Sequence, residues 1–216
     1  MEPQKKLLMI VNPRAGRSKP RGPLYDAAAA FCDAGYLLSI LRTAAAGDAR
    51  RIAEEAGGAY DTVVAVGGDG TLHEVVNGLF IQQEVCPDEV LLAVIAVGTG
   101  NDWVRTFGIS NRYQDAVKAI GEGYSFLQDV GVVSYEESHY RQSRYMANVA
   151  GAGFDARMVR KLSHLKKKGR KSRWRSTWCL VKNFFRYKST GVKVWVDDRL
   201  VYNNLLFSIA IGICKY

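Results

Sequence analysis

Four apolar runs set the terms on which this chain can fold. Residues 7–11 (LLMIV), 37–41 (LLSIL), 62–66 (TVVAV) and 91–97 (LLAVIAV) are continuous, with no polar alternation. Strands with one wet face alternate; strands covered on both faces do not. Each run ends in a small or polar turn: Asn12-Pro13-Arg14-Ala15-Gly16, Thr43 to Asp48, Gly67-Gly68-Asp69-Gly70-Thr71 and Gly98-Thr99-Gly100-Asn101-Asp102. Helical patterns fill the intervals. Leu24, Ala27, Ala28, Phe31 and Cys32 share a face of 23–34, Ala49, Ile52, Ala53 and Ala56 a face of 48–56, and Leu72, Val75, Val76 and Leu79 a face of 71–81. A further helix is expected at 112–122, capped by Asn111, with Ala116, Val117 and Ile120 inward. Strand–helix alternation of this kind specifies an open α/β domain, assigned to residues 1–125.

The pattern then changes. Residues 126–134, 144–150, 192–197 and 205–213 read as strands, and one long helical stretch, 172–187, separates them. This is the expected first part of a β-sandwich domain over residues 126–216. Asp197-Asp198-Arg199 reads as a hairpin turn inside it.

Composition narrows the classes. The chain is 48% hydrophobic and 11% aromatic, which a packed core requires and a disordered chain lacks. No apolar run approaches the ~18 residues of a membrane span. The patch from Leu7 to Val11 is also shorter than the ~7–15 residues of a signal-peptide core. A cytoplasmic protein is therefore expected. Cys32, Cys86, Cys179 and Cys214 are far apart in sequence with no CxxC, so reduced core thiols are expected rather than zinc or disulfides. His73, His139 and His164 are equally scattered.

The net charge of +9 is local. Arg157 to Lys188 carries thirteen basic and no acidic residues, which leaves seventeen basic against twenty-one acidic elsewhere. Within it KKKGRKSRWR is followed by Trp178, Phe184, Phe185 and Tyr187. A basic cluster beside an aromatic amphipathic stretch suits an anionic membrane surface. The expectation is peripheral membrane association and no nucleic-acid partner, since no stacking module or zinc knuckle accompanies the charge.

The turns carry the chemistry. In an open α/β sheet, ligands bind outside the carboxyl ends of the strands. Glycines let a phosphate approach the backbone, and a following helix offers free N–H groups and a positive dipole end. A carboxylate among phosphates repels them unless Mg²⁺ or a proton lies between, and two of the turns carry one, Asp69 and Asp102. There is no G-x-x-x-x-G-K-[ST], and no G-x-G-x-x-G opens the first helix, so neither a P-loop nor a dinucleotide fingerprint is present.

Taken together, NPRAG at 12–16, GGDGTLHEVVNG at 67–78, GTGND at 98–102, DVGVV at 129–133 and NVAGAGFDA at 148–156 resemble the diacylglycerol kinase catalytic-domain family, which includes soluble bacterial lipid kinases and sphingosine kinases. GGDGT alone is shared with NAD kinases; the combination is far more specific to the lipid kinases. The resemblance implies an ATP- and Mg²⁺-binding α/β domain and a β-sandwich that holds lipid. It implies that Asn12, Gly16, Thr43, Gly67, Gly68, Asp69, Gly70, Thr71, Leu72, His73, Gly98, Thr99, Gly100 and Asn101 form the nucleotide site. Asp69 and Asp102 would belong to an aspartate–water–Mg²⁺ network. Glu74 would orient that network or a substrate hydroxyl, or else serve as a first-turn acid favoured by the dipole.

The implied reaction moves the ATP γ-phosphoryl group to a lipid hydroxyl, diacylglycerol first, then phosphatidylglycerol, a sphingoid base or another alcohol. The family's proton acceptor belongs to an Asp-Gly-Glu type motif that is expected beyond Tyr216, so the chain reads as truncated, with Asp69 as the alternative base. A half sandwich exposes strand edges, which means low stability or association with another copy as a homodimer. The competing functions are a non-catalytic nucleotide- or lipid-binding remnant and an NAD kinase-like enzyme.

Overall fold

The computed structural model describes residues 4–16, 21–98, 100–110, 112–167 and 187–215. Its centre is a four-stranded parallel sheet in the order β2-β1-β3-β4. The strands are β1 (Lys6–Val11), β2 (Leu37–Arg42), β3 (Thr62–Gly67) and β4 (Leu91–Ala96). The helices are α1 (Arg21–Asp33), α2 (Asp48–Ala56), α3 (Asp69–Ile81), α4 (Asp102–Thr106) and α5 (Tyr113–Glu122).

The continuous apolar runs are explained by what each face meets. On β1, Leu8 and Ile10 point to one side, where they pack with Ala49, Ile52, Ala53, Val75 and Leu79 of α2 and α3. Leu7, Met9 and Val11 point to the other side, onto Leu24, Ala27 and Phe31 of α1 and Ala116 of α5. Val63 and Ala65 of β3 divide from Val64 and Val66 in the same way. Leu7 to Ile10 are completely buried, and each such side chain contributes about 1.5–3 kcal/mol relative to exposure. The second expected run behaves differently. β2 is an edge strand, and Leu37, Ile40 and Leu41 are 53%, 38% and 46% exposed, so it is not covered on both faces.

The helix over 48–56 is found as expected, and its four alanine and isoleucine positions are all buried. On α1 the inward face holds Leu24, Ala27 and Phe31, but Cys32 is exposed. Cys86 is exposed and Cys214 half-buried, so none of the described thiols is the core residue expected; Cys179 lies outside the described residues. Asn111, the expected cap of α5, also lies outside them, and the observed N-cap is Arg112.

The chain divides into two compact units, Met1–Asn148 with Ile213–Tyr216, and Val149–Gly212. The first includes an antiparallel hairpin of β5 (Gly131–Glu137) and β6 (Tyr140–Met146). Ser138 and His139 form its two-residue turn with φ of 52° and 69°, the twist that hairpins favour. This places the strands several residues from the expected 126–134 and 144–150.

The second unit holds β7 (Val149–Gly153) paired with β10 (Ser208–Gly212), and a hairpin of β8 (Thr190–Val196) and β9 (Arg199–Leu206). Asp197 and Asp198 make its turn in left-handed conformations, as the sequence led us to expect. The expected strand over 205–213 is interrupted at Phe207, whose ring stacks on Phe154 at 4.7 Å. A helix that the periodicity did not reveal, α6 (Phe154–Lys167), follows β7, while the expected helix over 172–187 falls almost wholly outside the described residues. The whole is mixed α/β with a parallel core and added antiparallel strands, the class that the sequence specified.

Candidate functional site

Parallel strands bring all their carboxyl ends to one edge, and the turns beyond them meet there. The first turn reaches the third strand and its turn: Asn12 N–H donates to Val66 O at 2.9 Å, and its side-chain amide donates to Thr71 Oγ1 at 3.0 Å. Asn12 Oδ1 also accepts the Arg14 N–H, which shapes the turn. Gly16 then lies against β4's end, with φ of +74°, where a Cβ would come 2.3 Å from Val97 O. No other residue type fits that conformation and that space.

The third and fourth turns are in backbone contact. A Cβ on Gly98 would come 2.7 Å from Gly68 Cα and 2.6 Å from Asn101 Oδ1. Asn101 is buried and left-handed, with φ of 56°, and its amide donates to Gly98 O at 3.1 Å. α3 starts at Gly68 with no side-chain cap, and the Thr71 and Leu72 N–H groups close onto Gly68 O. The Asp69 and Gly70 amides have no partner within the helix. Gly70 differs from Gly68: a Cβ there would meet no protein atom within 4 Å.

The two aspartates flank Gly100. A Cβ on Gly100 would stand 3.1 Å from Asp69 Oδ2 and 3.8 Å from Asp102 Oδ2, so both carboxylates face one small region. Asp69 is aimed by the Trp103 N–H, which donates to Oδ1 at 3.2 Å and leaves Oδ2 toward Gly100. Trp103 is held by its indole N–H on Gln128 Oε1 at 2.7 Å, and Gln128 by Ala147 O at 2.6 Å. Asp102 forms a half-exposed ion pair with Arg105 at 3.3 Å, the kind that water largely screens. Cys214 also approaches this region: its thiol donates to Ala147 O, and burial, then the Asp69 charge, pushes it up against a lowering hydrogen bond from Thr106.

The second turn is brought in by Glu74. Its Oε1 accepts the Gly47 N–H at 2.9 Å and its Oε2 the Ala49 N–H at 3.2 Å. The turn is braced internally by Asp48, whose Oδ2 accepts the Ala44 and Ala45 N–H groups, and these bonds hold its carboxyl below the usual range. Thr43 is buried, and its N–H extends the β1–β2 ladder onto Val11 O. Glu74 is thus the clamp between α3 and the start of α2.

The remaining expected residues are placed as follows. Gly67 closes β3 inside the sheet, paired with Ala96. Thr71 is buried and used by Asn12, and Leu72 is turned into the core with Val76, Val94 and Trp103. Thr99 lies outside the described residues. His73 is one turn past Asp69; burial pushes its imidazole down from 6.5, opposed by Glu74 and assisted by Arg144. Sequence reasoning missed Trp103, Gln128 and Asn77. The first two work through a backbone N–H and a remote side-chain pair, which leave no local signature. Asn77 lies inside the quoted GGDGTLHEVVNG, and an asparagine on the buried face of a helix was the available signal.

Among the described residues, no three His, Cys, Asp or Glu side chains cluster to form a protein-only metal cage, and no helix is long and apolar enough to cross a membrane.

The chain is similar to several known proteins. The family model described as "Diacylglycerol kinase catalytic domain" matches residues 6–133. Proteins named diacylglycerol kinase from Staphylococcus aureus strains bovine RF122 / ET3-1 and MRSA252 are each 37% identical over 151 residues, 69% of this chain and 44% of theirs. The matched stretch therefore spans less than half the length of those relatives. A crystal structure of a diacylglycerol kinase from Bacillus anthracis strain Sterne superimposes with a TM-score of 0.69 at 26% identity, over 100% of this chain and 66% of that one. Matched by the family model over residues 6–133 and by relatives over 69% of its length, this chain belongs to the diacylglycerol kinase catalytic domain family.

Proposed function

We propose that the chain is the ATP-binding part of a lipid kinase that transfers the γ-phosphoryl group of ATP to the hydroxyl of diacylglycerol. The observation that carries this is Gly70. Neither positive φ nor protein packing demands a glycine there, yet it sits at the uncapped start of α3 beside Asp69. A phosphate close to the backbone accounts for it.

The roles follow from the placement. The α3 amides and the Gly67-Gly68-Asp69-Gly70 backbone cradle phosphate oxygens, while Asn12, bonded to Thr71, and Gly16, against Val97, extend the site along the sheet edge. Asp69 and Asp102 fit Mg²⁺ held through water, because Mg²⁺ takes one or two carboxylates and fills its other positions with phosphates and water. When bound, the ion neutralises phosphate charge. Asp69, held at Oδ1, keeps Oδ2 for that network or for a hydroxyl proton. In the reaction the lipid oxygen bonds to the γ-phosphorus, the bond to the β–γ bridging oxygen breaks, ADP leaves, and the hydroxyl proton passes to a carboxylate. Glu74 acts as a positioning residue for the second turn. The basic segment Arg157 to Lys188 brings the protein to an anionic membrane surface; its residues 168–186 lie outside the described ones.

The test is Mg²⁺-dependent transfer from labelled ATP to mixed micelles of diacylglycerol, phosphatidylglycerol or sphingosine, with wild type and Asp69→Ala. Labelled phosphatidic acid formed from diacylglycerol, and none with Asp69→Ala, is expected. No labelled lipid together with equal ATP binding by both proteins defeats the reading. Co-sedimentation with anionic but not zwitterionic vesicles tests the membrane part.

A further inference from the structure

Arg144 is a half-buried arginine on β6, and its position is imposed by its neighbour. Tyr145 donates its N–H to Asn77 Oδ1 at 3.0 Å and accepts the Asn77 amide on its C=O at 2.8 Å. The Tyr145 ring packs on Phe80 at 4.8 Å. β6 is therefore fixed across the middle of α3, and Arg144, the residue before Tyr145, lies within electrostatic reach of the His73 imidazole. His73 lies four residues after Asp69, so both occupy one face of α3 a turn apart.

The guanidinium carries five donors, and Nη1 donates to Ser143 O at 3.0 Å. Among the described residues it has no carboxylate partner. The carboxylate next along α3, Glu74, is taken by Gly47 and Ala49. A partly desolvated guanidinium lacking an anion is best completed by a planar pair of oxyanion oxygens, carboxylate or phosphate. The two Asn77 NH₂ protons go to His73 O and Tyr145 O, both at 2.8 Å, so the backbone of α3 at His73 and that of β6 at Tyr145 share one side chain.

We infer that Arg144, on the strand pinned across α3 by Asn77, binds a terminal phosphate group on the exposed face of α3, near His73 and one turn from Asp69. This rests on the phosphoryl-transfer reading and assigns a residue to it. The phosphate has two sources: the γ-phosphate of the nucleotide, or the phosphate newly placed on the lipid.

The test titrates the chain, with Mg²⁺, against ATP, ADP and mixed micelles containing phosphatidic acid, for wild type, Arg144→Gln and Arg144→Lys, with thermal unfolding alongside. Arg144→Gln is expected to weaken one phosphate ligand at least tenfold while ADP changes less than twofold. Arg144→Lys, which keeps the charge but not the fork, is expected to fall between. Loss for ATP alone identifies the γ-phosphate; loss for phosphatidic acid alone identifies the product. If Arg144→Gln does not fold, Arg144→Lys decides by the same comparison. A folded variant with ATP and phosphatidic acid both within twofold of wild type overturns the inference and leaves the kinase reading standing. Equal weakening for ADP, ATP and phosphatidic acid with a lower Tm marks a structural role and also overturns it. Wild type that binds neither ATP nor phosphatidic acid defeats the kinase reading, and this inference with it.

Discussion

Gly98 stands against Gly68 so closely that one methyl group would separate the two turns: a Cβ on Gly98 falls 2.7 Å from Gly68 Cα. Both obstacles, Gly68 Cα and the buried Asn101 amide, are fixed parts of the turns rather than flexible side-chain ends. Gly98→Ala is therefore expected to lose about 1–3 kcal/mol of stability, the usual cost of overpacking. ATP affinity should fall with it. Urea denaturation and ATP titration check both.

Gly70→Ala should do the opposite to stability. The added methyl meets no protein atom, and alanine is a better helix former by about 0.5–1 kcal/mol. If a phosphate approaches Gly70, ATP binding weakens at least tenfold while Tm holds or rises. A variant that binds ATP like wild type removes the argument made from this glycine.

Removing the Glu74 carboxylate separates positioning from chemistry. Glu74→Ala strips the acceptors from the Gly47 and Ala49 N–H groups and should cost about 1–2 kcal/mol. Glu74→Gln keeps one acceptor oxygen and should lose roughly half as much. Because the clamp orders the second turn, KM for ATP is expected to change more than kcat in steady-state assays. A collapse of kcat with KM unchanged assigns Glu74 to the reacting centre.

The His73 imidazole has its pKa lowered in the folded protein, chiefly by burial. The unfolded chain therefore takes up a proton near pH 6.5 while the folded chain resists it, so stability falls as pH drops below 6.5. His73→Gln is expected to show a smaller fall in Tm between pH 7.5 and 5.5 than wild type. Identical slopes by calorimetry count against it.

The central sheet was legible because burial on both faces writes itself as an unbroken apolar run, as in Leu7 to Val11. The same signal misled at Leu37 to Leu41, since sheet order decides which strand is the edge, and order is a non-local property. The strand-end turns were legible because glycine and aspartate at those places have few other uses. The interactions that assemble them were not. Trp103 holds Asp69 by a backbone N–H that any residue would supply, and Glu74 reaches a turn twenty-seven residues away. The β5–β6 hairpin was misplaced because its turn, Ser138-His139, takes left-handed conformations without glycine, asparagine or aspartate to announce them. α6 was missed because its moderate amphipathicity is overlaid by the basic charge that begins at Arg157.

The Asn77 pairing with Tyr145 has a consequence for how the protein breathes. Asn77 is almost completely buried, and it serves the N–H and C=O of a residue sixty-eight positions away. The Tyr145 amide hydrogen can exchange with solvent only when the asparagine lets go. Its exchange rate is therefore a clock for separation of the hairpin from α3, the helix that begins with Asp69. Deuterium uptake at that single amide, slowed by ATP if nucleotide tightens α3 and accelerated in Asn77→Ala, would time the opening of the hairpin from that helix.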